Sequence, residues 1–144
     1  MSAIAHFTRR WTFVAAHRLH VDALSAEENA ATFGKCNNPF GHGHNYVVQV
    51  TVSGPIDPVT GMVTNLSDLD AFARRELLDR FDHQNLNTLE CFRDTVTTTE
   101  NLCRELWRIF IAYPHAKLER VRVEETGNNA FDYFGEGRAA RFGE

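Results

Sequence analysis

Residues 35–52 read Lys35-Cys36-Asn37-Asn38-Pro39-Phe40-Gly41-His42-Gly43-His44-Asn45-Tyr46-Val47-Val48-Gln49-Val50-Thr51-Val52. The first part of this stretch brings together one cysteine, two histidines and the turn formers Pro39, Gly41 and Gly43. The second part is rich in β-branched residues and reads as a strand over residues 44–54 that stops at Gly54-Pro55. The cysteine therefore lies in a loop, and the histidines lie where that loop becomes a strand. In an extended chain, residues i and i+2 project to the same face. His42 and His44 can point at one spot, and the glycines beside them leave it open. Two imidazoles on one face begin a metal site, and the strand before the loop offers a third in His17.

Backwards from the loop, Phe7, Trp11, Phe13 and Ala15 share a parity, with Thr8, Arg10 and Thr12 between them. This period-2 pattern predicts a half-buried strand over residues 5–16, and His17 continues its Trp11–Phe13–Ala15 face. Alone, His17 reads as an amphipathic side chain closing a strand. With His42 and His44 it makes either a metal site or a solvated rim. The connection from Arg18 to Gly41 is long, and such loops in compact domains are usually functional. Within it, Ser25-x-x-Glu28 predicts a short helical turn.

Forwards from the strand, Asp57-Pro58-Val59-Thr60-Gly61 is a tight turn by composition, and Met62-Val63 is expected at the end of a strand pairing. Ser67-x-x-Asp70 opens a helix as a capping box, with Asp in place of Glu. Leu69, Phe72, Ala73, Leu77 and Phe81 form its apolar stripe, and it ends near Phe81. Asp82 to Asn87 reads as a polar loop. Thr97 to Glu100 begins a second helix that buries Leu102, Cys103, Leu106, Ile109 and Phe110, up to Tyr113-Pro114. Leu118 to Thr126 is a third strand, Gly127-Asn128-Asn129 a hairpin turn, and Ala130 to Phe134 a fourth strand. Gly135-Glu136-Gly137 and the basic tail read as a frayed end. The order ββααββ, with short turns and alternating strands, predicts an α+β domain. It would be a four-stranded antiparallel sheet with two helices packed on one face.

With 144 residues the chain makes one domain, 1–144, large enough to bury a core. Its net charge is −4, with no block of Lys or Arg to neutralise phosphates, which argues against a general nucleic-acid binder. No apolar run approaches the roughly 20 residues of a membrane span. The N-terminal stretch lacks the apolar region of a secretory signal. Three cysteines at irregular spacing, Cys36, Cys91 and Cys103, favour reduced thiols and a cytoplasmic location over a disulfide framework. Cys103 lies on an apolar stripe and reads as an inert core thiol. Cys91 has no evident role.

With these residues in view, the chain resembles the 6-pyruvoyl-tetrahydropterin synthase family over nearly its whole length. The resemblance is carried by Phe13-x-Ala15-Ala16-His17, Lys35-Cys36-Asn37-Asn38-Pro39-x-Gly41-His42-Gly43-His44-Asn45-Tyr46, Gly61-Met62-Val63-x-Asn65-Leu66, Asp82-His83-x-Asn85-Leu86, Thr98-Thr99-Glu100-Asn101 and Glu125-Thr126-x-Asn128-Asn129. Any one of these is weak alone; together and in this order they are specific. The resemblance implies the tunnelling fold, which has the ββααββ order. It also implies an assembly in which subunits join their sheets into a barrel of three and two trimers stack as a homohexamer.

Roles follow from the same resemblance. His17, His42 and His44 match the zinc ligands, and three imidazoles with an open fourth position are a catalytic rather than a structural zinc arrangement. Cys36 matches the proton-abstracting base, which needs help from a nearby charge to be a thiolate. It is also a rival fourth ligand. Asp82-His83 matches an Asp–His pair that completes a relay with the thiol. The plainer reading of that pair is a polar loop at a helix C-terminus. Glu125 matches the carboxylate that anchors the pterin through two parallel hydrogen bonds, provided that strand parity turns it, and not Glu124, towards the site. Thr98, Thr99 and Glu100 line the pterin pocket, cap the second helix, or do both.

The reaction implied is the zinc-dependent conversion of 7,8-dihydroneopterin triphosphate to 6-pyruvoyl-tetrahydropterin. It eliminates triphosphate, as a carbon–oxygen lyase of tetrahydrobiopterin biosynthesis, without an external redox cofactor. The triphosphate calls for cations, which either Arg18 and Lys35, beside the site residues, or a neighbouring subunit would supply. The alternative within the family is the 6-carboxy-tetrahydropterin synthase of queuosine biosynthesis. That branch typically has three residues between the cysteine and the first histidine, where Asn37 to Gly41 here make five. A branch with glutamate in place of the cysteine is disfavoured by Cys36. Phe40 stands where a small polar residue is common, and Gly127 where a charged one is. A non-catalytic metal- or pterin-binding protein on the same fold is the further alternative, and Cys36, Asp82 and His83 count against it.

Overall fold

The two long strands form where the alternation places them. In the computed structural model, which describes residues 3–137, β1 (Ile4–His17) pairs antiparallel with β2 (His42–Pro55) from Ile4 opposite Pro55 to His17 opposite His42. Phe13, Ala15 and His17 of β1 and Tyr46, Val48, Val50 and Val52 of β2 are buried, while Thr8, Arg10, Thr12 and Val14 are exposed on the other face. β4 (Lys117–Thr126) lies beside β2, and β5 (Asn129–Tyr133) returns beside β4 after Gly127 and Asn128. Thr51 pairs with Arg120 and Val52 with Leu118, so Glu119 is an extra residue. This bulge lets Leu118 and Val121 both turn inward.

The expected four-stranded antiparallel sheet is corrected at one edge. The sheet has five strands in the order β3-β1-β2-β4-β5, and β3 (Gln84–Asn85) runs parallel to β1. The cause is local. The Val14 N–H donates to Asp82 Oδ1 at 2.9 Å, and the His83 N–H donates to Val14 O at 2.6 Å. These bonds lay the chain along the edge of β1. A strand of two residues has no alternation for sequence reading to detect. Met62 and Val63 are not in a strand; the Asp57 N–H donates to Met62 O at 3.0 Å across the turn. Asp57 Oδ1 accepts from the N–H groups of Val59 and Thr60, which makes the turn that the composition predicts.

α1 (Ala26–Phe33) starts with the expected capping box: Ser25 Oγ accepts the Glu28 N–H at 3.1 Å, and the Glu28 carboxylate accepts the Ser25 N–H at 3.0 Å. α2 (Leu66–Ala73) starts differently from expectation. Its cap is Asn65, whose side chain accepts the Ser67 N–H at 2.8 Å. Asp70 faces the sheet instead, accepting from Arg9 Nε at 3.0 Å, Arg9 Nη2 at 2.8 Å and Trp11 Nε1 at 3.1 Å. The Arg9 hydrogen bonds hold its carboxyl below the usual carboxylate range. A carboxylate so engaged does not serve the helix end.

The helix continues through a π-helical stretch, Arg74–Leu78, into α3 (Asp79–Phe81), keeping Leu69, Phe72, Leu77 and Phe81 buried. α4 (Thr99–Phe110) is capped by Thr98 Oγ1, which accepts the Asn101 N–H at 3.2 Å. Trp11 stacks on Phe110 at 5.6 Å and Phe13 meets Phe81 at 6.1 Å. Both helical segments therefore cover the same face of the sheet, and the core is the apolar layer between them. Gly135 and Glu136 are not frayed. Arg104 donates to Glu136 at 3.1 and 3.2 Å, and Gly135, at φ +103°, sits where a Cβ would come within 2.9 Å of the Trp107 ring. The basic tail beyond them, residues 138–144, lies outside the described residues, as do residues 1–2. Among the described residues no helix is long and apolar enough to cross a membrane.

Candidate metal centre and active site

The register of β1 against β2 builds the cluster. His17 ends β1 directly opposite His42, which begins β2, and His44 follows two residues later on the same face. The ring centroids are 4.5 Å (His17–His42), 5.0 Å (His17–His44) and 4.8 Å (His42–His44) apart. One nitrogen from each ring lies within 4.8 Å of the others. The approach depends on Gly41. It has φ +74°, and a Cβ there would sit 3.2 Å from the His17 carbonyl oxygen. Only glycine meets both demands without displacing the ligand strand.

His17 is 1% exposed, and its Nδ1 lies 2.7 Å from Thr97 O. A carbonyl only accepts, so Nδ1 carries the proton and Nε2 faces the cluster, 2.9 Å from His42 Nε2. This is how an outer hydrogen bond sets the tautomer and aim of a metal-ligating histidine. Burial, first, lowers the pKa of both His17 and His44, and the neighbouring imidazole charges act in the same direction. The Thr97 hydrogen bond opposes the shift at His17, and Glu125 opposes it at His44. Both rings thus stay neutral, with a lone pair to offer, to lower pH than a free imidazole.

The donor set fits a metal on a second ground. Among the described residues, His42 Nδ1 and His44 Nε2 are buried without a hydrogen-bond partner. Glu125 Oε1 is 3.2 Å from His44 Nε2 but lacks hydrogen-bond geometry. Buried polar atoms are normally partnered, and a divalent ion would use the His44 Nε2 lone pair, while His42 turns Nε2 to the cluster. Three imidazoles without a fourth protein ligand are the donor set of an open zinc site.

Cys36 lies on a 3₁₀ turn, Gly34–Asn37, as a half-buried free thiol. It is not part of the three-histidine group. Tyr46, fully buried on the same face of β2 as the two histidines, has its hydroxyl 3.4 Å from His17 Nδ1.

Parity favours Glu125 over Glu124. Glu125 accepts from Thr99 Oγ1 and stands beside His44, whereas Glu124 faces Gln49 at 3.5 Å on the other side. His44, Glu124, Glu125 and Thr126 help line a cavity of about 410 Å³. Of the three α4 residues, Thr99 joins this site, Thr98 caps the helix, and Glu100 is exposed in the first turn.

Asp82 and His83 form their pair, with Asp82 Oδ2 3.1 Å from His83 Nδ1. The Val14 N–H, foremost, lowers the Asp82 pKa. His83 has φ +61°, an uncommon backbone for this residue type, and its side chain is 78% exposed. Within one chain the pair is not joined to Cys36 or to the histidine cluster by any hydrogen bond or ion pair among the described residues. It sits beside Val14, three residues from His17, which is roughly 10 Å along a strand.

Arg18 lines a separate cleft of about 500 Å³ with His20, Phe40, Asn87 and Arg93, while Lys35 is exposed on the cysteine turn. Phe40 is 97% exposed. Burial pushes the Cys103 thiol up to about 12 and raises that of Cys91, which suits the inert reading of the first.

Two residues escaped the sequence reading. Thr97 acts through its carbonyl, which leaves no side-chain signal. Tyr46 shares the parity of His42 and His44, and that was the available sign.

The family profile described as 6-pyruvoyl tetrahydropterin synthase matches residues 6–136. The chain is 48% identical over 135 residues to a 6-pyruvoyl tetrahydrobiopterin synthase of Poecilia reticulata, covering 92% of each protein. It is 48% identical over 134 residues to that of Homo sapiens, again covering 92% of each. The solved Caenorhabditis elegans 6-pyruvoyl tetrahydropterin synthase superposes with a TM-score of 0.89 at 42% identity, covering 94% of this chain and 98% of that one.

Proposed function

The chain belongs to the 6-pyruvoyl tetrahydropterin synthase family and is an enzyme of the lyase type, and from that premise we propose that it converts 7,8-dihydroneopterin triphosphate to 6-pyruvoyl-tetrahydropterin with loss of triphosphate. The observation that carries the reading is the cluster of His17, His42 and His44, with Glu125 beside it on the next strand. A zinc ion held by the three imidazoles would supply Lewis acidity to the oxygens of the substrate side chain. Glu125, oriented by Thr99, accepts hydrogen bonds from the ring N–H and amino group of the pterin. That places the reacting side chain at the histidines. Cys36, as thiolate, takes a proton from a hydroxyl-bearing carbon, and His83, oriented by Asp82, returns or relays one.

Because Asp82-His83 does not meet Cys36 within one chain, the relay calls for a second copy of the chain. We propose, as the family resemblance implies, a cytoplasmic homohexamer in which the exposed His83 of one subunit faces the cysteine of another. Arg18, next to His17 in the chain, and Lys35, next to Cys36, are the cations proposed for the departing triphosphate, unless a neighbouring subunit supplies them. The spacing from Cys36 to His42 favours the pyruvoyl product over the 6-carboxy product.

Supplying the zinc-loaded protein with 7,8-dihydroneopterin triphosphate and weighing the products decides the matter. A pyruvoyl product and triphosphate are expected; a 6-carboxy product with acetaldehyde, or unchanged substrate, overturns the proposal. A finer test is Glu125→Gln. It keeps the Thr99 contact possible but replaces a charged acceptor by a neutral one, and charge-assisted bonds are about twice as strong as neutral ones. Pterin binding is expected to weaken about tenfold, from a loss of about 1.5 kcal/mol, with zinc content unchanged. Substrate affinity equal to the parent's would remove Glu125 from the anchor role.

A further inference from the structure

We propose that Asn37 is a positioning residue for the Cys36 thiol, clamping the turn that carries it onto the segment that leaves the His17 ligand. The inference rests on Cys36 being the base of the reaction proposed above. Four hydrogen bonds join the two segments. The Leu19 N–H donates to Cys36 O at 2.8 Å. Arg18 Nε donates to Asn37 O at 3.1 Å. Asn37 Nδ2 donates to Leu19 O at 2.7 Å and to His20 Nδ1 at 3.0 Å. An amide nitrogen only donates, so His20 Nδ1 accepts; its Nε2 carries the proton and lies 3.3 Å from Asp22 Oδ1. Asn37 thus commits both amide hydrogens and its backbone carbonyl to residues 18–20.

The turn has little of its own to fix it. It spans four residues, Gly34–Asn37, without a side-chain cap. Gly34 at φ +57° and Gly41 at φ +74° bracket the stretch. The opposite segment is anchored: His17 is fixed by Thr97 O, and the Arg18 N–H donates to Asn87 Oδ1 at 2.7 Å. The position of the thiol relative to the ligand cluster is therefore set by the Cys36 carbonyl together with Asn37, which makes three of the four bonds. Misplacing a reacting group by about 1 Å can cost on the order of 100-fold in rate.

Asn37→Asp is close to isosteric and replaces the donating Nδ2 by an oxygen that can only accept, which faces the Leu19 carbonyl. Its kcat is expected to fall on the order of 100-fold, with KM and zinc per chain unchanged. Alkylation of Cys36 by iodoacetamide, followed by peptide mass, is expected to become faster. His20→Ala removes one of the two Nδ2 partners and should show the same pattern with a smaller fall; it decides the question alone if Asn37→Asp does not fold. Parent-like kcat and alkylation in the folded variants overturn the clamp, as does a fall in kcat matched by an equal loss of zinc or of folded protein. Cys36→Ala separates the two levels. If it keeps turnover, the base assignment has failed; if it is inactive while the clamp variants behave like the parent, only the clamp has.

Discussion

Replacing His17 by alanine is expected to abolish stoichiometric zinc and turnover together, and to lower thermal stability in the metal-loaded state. The ring is the deepest of the three, and the Thr97 carbonyl aims its Nε2 at His42. No other described histidine, cysteine or carboxylate joins the group to replace it. Two imidazoles remain, which is short of the three protein ligands of a catalytic zinc site. The stability effect has two parts. A ligand present at ~1,000 times its dissociation constant stabilises the folded state by about 4 kcal/mol. For a domain of this size that is on the order of 10 °C in Tm. The variant also leaves the Thr97 carbonyl without its donor in a buried place, a cost of about 1–3 kcal/mol. Chelation separates the parts: EDTA should lower the Tm of the parent and leave that of the variant where it is. A variant that still carries one zinc per chain would remove His17 from the ligand set, and the mechanism with it.

How much of this was readable beforehand depends on whether a residue acts through its side-chain pattern or through its backbone. β1, β2 and α4 follow from periodicity, because their buried faces repeat often enough to be seen. β3 does not, since Gln84 and Asn85 pair only because Asp82 and His83 capture the edge of β1 at Val14. The start of α2 misled because Asp70 satisfies the capping spacing, yet a nearby Arg9 and Trp11 outcompete the helix end for its carboxylate.

In the site, the three histidines were legible from type and parity, and Glu125 from the family resemblance, with parity separating it from Glu124. Thr97 was not, because its contribution is a carbonyl oxygen. Asp82-His83 was legible as a pair, but where its side chains stand relative to Cys36 is a matter of tertiary placement that no local pattern encodes. The same holds for Asn37: its three bonds reach back to residues 18–20, across a connection whose length says nothing of where it folds.

Cys36→Ala is the complementary experiment, because it is expected to leave zinc in place while removing turnover. The three imidazoles form their group without the thiol. The cysteine stands on the separate Gly34–Asn37 turn, and the contacts that hold this turn use the Cys36 backbone carbonyl and Asn37 rather than the sulfur. Truncation to alanine therefore keeps the turn and the cluster. What it removes is the group that takes the proton, and general-base catalysis is typically worth about 10²–10⁴-fold. A fall of that size in kcat, with zinc per chain and substrate affinity held at the parent values, is the expected result. Loss of zinc in this variant would make the sulfur a ligand and the site a closed one, with the base to be sought elsewhere. Retained turnover would leave the relay with Asp82 and His83 as its members and remove the thiol from it.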